Sequence, residues 1–278
     1  MLGKGKVLWA LAGCLPLCIP GYSFSTFENS GGNVHEQITR EALAGTISDA
    51  NLSFIVKSCN SQDAPGSDSL SDPRRHFQDG NFSGALGYID REKKQALNYA
   101  ADADADPQNR AQSLRHFGLM LHTVQDFYSR TNYLELQLEN ASKRQDPYSI
   151  EVVDWAKVPD GYLGKTSGAA LTSVACKASS ATTTSDQGTK SKEPAGSKGQ
   201  ADLSKDNGST AEGKKAVGSS TYFKVARDLA VRETQRQWNL FETLIRGRFH
   251  ARADAIIAAL KQASPDAKAS PDSLPDLD

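Results

Sequence analysis

The chain has 278 residues, enough for one domain with a substantial core or for two small ones. Its net charge of -1 gives no general attraction to nucleic acid, and no specific nucleic-acid partner is expected. The hydrophobic content of 38% is modest because one long stretch is almost purely polar.

The N-terminus has the pattern of a targeting segment. Lys4 and Lys6 form a positive region, and Val7 to Ile19 is a mostly apolar run, shorter than the roughly 20 residues a membrane span needs. Gly21-Tyr22-Ser23 puts small residues where a signal peptidase reads them. Residues 1–23 are therefore expected to be a signal peptide cleaved before Phe24, and the protein to be secreted. Leu11-Ala12-Gly13-Cys14 also has the form of a lipoprotein cleavage box, which would place the chain in a bacterial periplasm or on a membrane. Cleavage before Phe24 removes Cys14 and Cys18. Cys59 and Cys176 remain, either as one disulfide or as two thiols. Asn51, Asn81, Asn140 and Asn207 each begin a glycosylation-type triplet.

The next segments read as helices. Asn33 caps a start at His35, with Glu36 three residues on and Ile38, Ala42 and Leu43 as an apolar stripe. A short helix follows Ser48 with Leu52, Ile55 and Val56 on one face. Residues 60–79, rich in Ser, Asp, Pro and Gly, read as a loop. A helix is predicted over about 82–103. Asp106-Pro107 opens another, which carries Leu114, Phe117, Leu121, Val124 and Tyr128 at spacings of three and four and ends near Tyr133.

Residues 177–220 are Ser, Thr, Gly, Lys, Ala and Asp with almost no large apolar side chain. They cannot bury enough surface to offset their ordering entropy, so they read as a disordered insertion. An amphipathic pattern resumes from 221 through Phe223, Ala226, Ala230, Trp238, Phe241 and Ile245, with Gly247 as a candidate break before 251–263. Residues 264–278 read as a loose tail. No strand series is visible, so the fold class is all-α, with 24–176 and 221–263 forming one helical domain around the insertion.

The residues with chemistry centre on His122-Thr-Val-Gln-Asp126. Positions four apart share a helix face, so an imidazole and a carboxylate there can converge on one metal ion. They lie beside the Leu121/Val124 stripe, and Gly118, one turn earlier, would let another element approach closely. A buried charge needs a partner, and a metal is a natural one. Of the other histidines, His35 opens a capped helix and His76 closes the loop that holds Asp63, Asp68 and Asp72. His116 points to another side of the helix and reads as partly exposed. His250 sits among Arg246, Arg248 and Arg252, which repel a cation.

Three segments, His35-Glu-Gln-Ile-Thr-Arg-Glu-Ala42, Arg75-His76-Phe77 and Leu121-His-Thr-Val-Gln-Asp-Phe-Tyr-Ser129, are together similar to the superfamily of zinc-dependent phospholipases C and single-strand nucleases. They look closest to its Het-C-like branch, which includes the N-terminal region of some von Willebrand A-domain proteins. The resemblance implies a helical fold with up to three zinc ions and metal-bound hydroxide attacking a phosphate ester. It implies one metal site from Asp63, His76, His122 and Asp126, and a second ion reached by Asp126 and His35, with Asp63 and Asp126 in catalytic roles. Asp68 or Asp72 could replace Asp63. The Het-C branch has His four positions after the Asp, where this chain has Arg130, and no His lies between His122 and His250. Arg130 could pair with Asp126 or offer its fork to a substrate phosphate.

Two functions are consistent with these residues. One is a secreted phosphodiesterase of phospholipase C type, acting on a phospholipid or another phosphate ester. The other is a non-catalytic protein with a structural or reduced metal site that works through partners or the cell surface. The basic, amphipathic segment after Thr221 could contact a membrane surface, although its interspersed acids favour packing in the core.

Overall fold

The computed structural model describes residues 33–141, 146–159, 161–165, 167–174 and 203–262, and the backbone of two short strands, Cys18–Ile19 (β1) and Lys177–Ala178 (β2), which pair antiparallel. The rest of the expected leader 1–23, Phe24, Cys176 and the tail 264–278 lie outside the described residues. The described chain is mostly helical, as the apolar periodicity predicts.

Helix α1 spans Val34–Leu43, and the Asn33 side chain accepts from the backbone N–H of His35 and Glu36. Glu36 does not reach back as a capping box would; it pairs with Arg40 one turn on. Helix α2, Asp49–Asn60, starts under the Ser48 cap and is tied to the far end of the chain by Asn51 Nδ2, which donates to Leu260 O at 2.8 Å. Asn51 is fully buried, so its triplet is no surface acceptor site. The expected loop 60–79 is partly ordered into 3₁₀ turns at Ser61–Asp63 and Asp68–Ser71. Helix α3 spans Phe82–Ala100 and α4 Pro107–Arg130, the latter capped by Asp106. A short α5 follows at Tyr133–Asn140.

Helix α4 is the axis of the fold. It packs against α2, α3 and α6 (Tyr222–Phe249), so every residue from Arg110 to Arg130 is buried, polar ones included. The apolar stripe from Leu114 to Tyr128 understates this, because α4 is surrounded rather than laid on a core. At Gly118 a Cβ would meet Ile55 O at 2.6 Å and Ser58 Cβ at 2.7 Å, so α2 approaches the bare backbone as the sequence suggests. Phe117, Trp238 and Phe241 form an aromatic contact between α4 and α6, with centroids 5.2 to 5.9 Å apart. Burying each of these contributes on the order of 2–3 kcal/mol.

Two expectations change. Gly247 does not break α6, since an exposed glycine inside a helix costs only about 1 kcal/mol relative to Ala. The break comes at His250, which has φ +43° and leads through a 3₁₀ turn into α7, Ala253–Gln262. The expected disorder of 177–220 does not extend over its described part. Residues 203–221 dock on the end of α4 and close a small hairpin, Ala216–Val217 (β3) with Ser220–Thr221 (β4). Lys205 is completely buried; its Nζ donates to Thr131 O, Leu203 O and Glu135 Oε1. The segment orders through ionic and backbone contacts, which its apolar content does not reveal. No helix among the described residues is long and apolar enough to cross a membrane, and the stripe of α6 faces the core.

Candidate metal centre

Three local structures converge on α4. His35 comes from the first turn of α1. Asp63 comes from the 3₁₀ turn that ends α2, where Gln62 is held by Arg75 Nη1 at 2.9 Å and by the Tyr88 hydroxyl at 3.0 Å. His76 lies on a tight turn in which the Gln78 N–H returns to Pro73 O. Directly after it, Phe77 adopts φ +46°, a conformation costing about 1–2 kcal/mol for a bulky residue. Its packing on Phe127 and Trp155 offsets that cost and turns the preceding imidazole inward. His122 and Asp126 sit one turn apart on α4.

All five residues are 0 to 2% exposed. Asp126 Oδ2 lies 3.0 Å from His76 Nδ1 and 3.3 Å from His122 Nε2. Asp63 Oδ1 lies 3.8 Å from His76 Nδ1 and 3.6 Å from His122 Nε2, and the two nitrogens are 3.0 Å apart. On the other side, His35 Nε2 lies 3.3 Å from Asp126 Oδ1 and 3.8 Å from Asp63 Oδ2. Each carboxylate thus turns one oxygen toward the His76/His122 pair and the other toward His35.

The other edge of each imidazole decides its tautomer. His76 Nε2 is 3.0 Å from Ser69 O, to which it donates, leaving Nδ1 as the lone pair. His35 Nδ1 is 2.7 Å from Gln125 Oε1, so it donates there and frees Nε2. Gln125 is fixed in turn by donating to Thr39 Oγ1 and Thr234 Oγ1. These are the outer hydrogen bonds that metal-binding histidines usually carry.

The electrostatics follow from burial and charge. Burial and the neighbouring His35 both depress His122, yet Asp126 and Asp63 outweigh them and raise it to about 9. Burial likewise depresses His35, and Asp126 and Cys59 raise it well above the ordinary value. His76 is the exception: burial prevails and lowers it. Burial would raise Asp126, but the three histidines hold it well below the usual carboxylate range.

Both oxygens of Asp63, Asp126 Oδ1 and His122 Nδ1 are buried with no hydrogen-bond partner. Each such atom costs about 1–3 kcal/mol unless something occupies it. Four donors at about 2.1 Å from a tetrahedral zinc ion lie about 3.4 Å apart. The His–His and His–carboxylate spacings among Asp63, His76, His122 and Asp126 run from 3.0 to 3.8 Å and bracket that value. The residues present fit a metal ion, and the cluster could hold one.

The sequence-derived set His35, Asp63, His76, His122 and Asp126 is thus brought together. Asp72 is engaged by Arg74 and Arg75, and Asp68 is exposed, so Asp63 is the loop carboxylate at the centre. Arg130 is 1% exposed, and its Nε lies 3.4 Å from Asp206 Oδ1, a partner from the segment expected to be disordered. His116 is also corrected: it is buried, with Nδ1 2.7 Å from Glu92 Oε2 and its ring stacked on Tyr99. Cys59, expected to be either bridged to Cys176 or unpaired, is a free buried thiol at the edge of the centre, with Sγ 3.8 Å from Gln125 Oε1. Burial would raise this thiol, but His122 and His35 draw it below its ordinary value. Sequence reasoning missed Cys59 and Gln125 as members of the centre. The signal for Gln125 is a polar residue directly before Asp126 in an otherwise buried helix.

Fold and site together define an all-α protein with a buried His/Cys/Asp cluster able to hold a metal ion. Comparison with family models, with curated proteins and with solved structures finds no match.

Proposed function

We propose that this chain is a secreted zinc-dependent phosphodiesterase of phospholipase C type, with zinc held by Asp63, His76, His122 and Asp126 and with His35 completing the far side. The observation that carries the reading is the placement of both carboxylates, each with one oxygen toward the His76/His122 pair and one toward His35. The similarity of the three sequence segments to the zinc phospholipase and nuclease superfamily supports the same chemistry. Bound zinc lowers the pKa of a water molecule to about 7 and polarises a phosphoryl oxygen. The chain's own part is orientation and charge. Gln125 and Ser69 O fix the imidazoles of His35 and His76. Asp126 stays ionised, and Asp63, with Oδ1 toward the zinc, keeps Oδ2 as an acceptor for the proton that an attacking water must lose.

A second reading, a structural metal site in a non-catalytic protein, is favoured by the near-complete burial of every ligand and by the engagement of Arg130 with Asp206. Metal analysis of the purified protein, with phospholipid and nucleotide diester assays in the presence and absence of zinc, separates the two. Zinc-dependent turnover supports the phosphodiesterase. Bound zinc without turnover leaves the structural reading, and less than stoichiometric metal, unchanged by His122→Ala, refutes both.

A further inference from the structure

Cys59 belongs to neither carboxylate set, yet it lies where a ligand would. It is fully buried on the last turn of α2, which Gly118 allows to sit close against α4. One ligand atom each from His35, Cys59 and His122 all fall within 4.8 Å of one another. The imidazoles of His35 and His122 stack with centroids 4.1 Å apart and an interplanar angle of 28°. Their Nε2 atoms both face Asp126, at 3.3 Å. His122 Nδ1 is the nitrogen left over, buried and without a hydrogen-bond partner.

We propose that Cys59, His35 and His122 form a second, thiolate-bearing metal set on the edge of the centre that faces away from the carboxylates, and that it takes a soft, thiophilic ion, His35 offering Nδ1 once its proton sits instead on Nε2, beside Asp126 Oδ1. Thiolate sulfur with imidazole nitrogen selects such ions, whereas the Asp63 and Asp126 oxygens suit harder ones. The free His122 Nδ1 is the observation that lifts Cys59 above an isolated buried thiol, because a bound ion gives that nitrogen a partner. The inference shares His35 and His122 with the proposed function but needs neither Asp63 nor His76.

The test is titration of the full chain with cadmium alone, read by the ultraviolet thiolate-to-cadmium absorption. The band appears in the wild type, disappears in Cys59→Ser, and persists in Cys176→Ser and in His76→Ala. Cadmium NMR of the wild type gives a second reading that needs no variant, with a resonance in the range of sulfur-ligated ions. Cadmium that binds by equilibrium dialysis without the band, or with a resonance typical of nitrogen and oxygen ligands alone, overturns the inference and leaves the carboxylate centre standing. So does a band that survives Cys59→Ser. If the wild type binds neither cadmium nor zinc, the inference and the proposed function fall together.

Discussion

Gln125→Ala is the sharpest probe of how the centre is held. In the folded chain Gln125 Oε1 accepts from His35 Nδ1 at 2.7 Å, and Nε2 donates to Thr39 Oγ1 at 3.0 Å and Thr234 Oγ1 at 3.1 Å. The Thr234 hydroxyl already donates to Ala230 O, so it keeps a partner when the amide is removed. His35 Nδ1 loses the acceptor that orients it, in a site with no solvent access, a loss of about 1–3 kcal/mol in stability. The larger effect is on the metal. Removing an outer hydrogen bond from a ligating histidine typically weakens affinity about 10–100-fold, or roughly 1.4–2.8 kcal/mol. Zinc competition against a chromophoric chelator measures the affinity, and urea unfolding measures the stability. Gln125→Glu keeps the acceptor and should retain most of the affinity. Unchanged zinc affinity in Gln125→Ala would show that His35 is not a ligand or is not oriented by this amide.

Three further outcomes are expected. Gly118→Ala puts a Cβ 2.6 Å from Ile55 O and must push α2 off α4, costing about 1–3 kcal/mol; an unchanged urea midpoint contradicts the close approach. Arg130→Met strands the buried Asp206 carboxylate and destabilises by about 3–5 kcal/mol, and Asp206→Leu in the same chain recovers most of it, as a double-mutant cycle in urea will show. His122 is raised from 6.5 to about 9 in the folded state, so in the metal-free protein its stabilising share is full below pH 6.5 and is lost as pH rises through about 9. Zinc requires the neutral ring, so its affinity rises over that interval with release of a proton. Calorimetry in buffers of different ionisation enthalpy reads that proton, and a pH-independent affinity is the contrary result.

The sequence made part of this centre legible and left part of it hidden. The spacing of His122 and Asp126 places both on one face of a helix, and that is local information. The five-residue set required the resemblance, because His35, Asp63 and His76 converge only through tertiary packing. Cys59 was read from its compartment chemistry, yet its surroundings are set by how deeply α2 settles against Gly118. His116 was read as partly exposed because its partner, Glu92, lies on another helix. Residues 203–221 were misread for a different reason. Composition reports how much apolar surface a segment can bury, but Lys205 and Asp206 are ordered by carbonyls and charges that α4 and α5 already present.

The end of α4 is also a double anchor. Val174 N–H donates to Arg130 O and Lys205 N–H donates to Ser129 O, so the intervening chain leaves and rejoins the domain at two adjacent carbonyls. A loop whose ends are pinned side by side changes in closure cost by only about 0.6 kcal/mol for each doubling of its length. Changing the number of residues between 179 and 202 therefore leaves both anchors in place. That makes this junction the natural place to graft a reporter or a tether onto the protein without disturbing the buried His/Asp cluster.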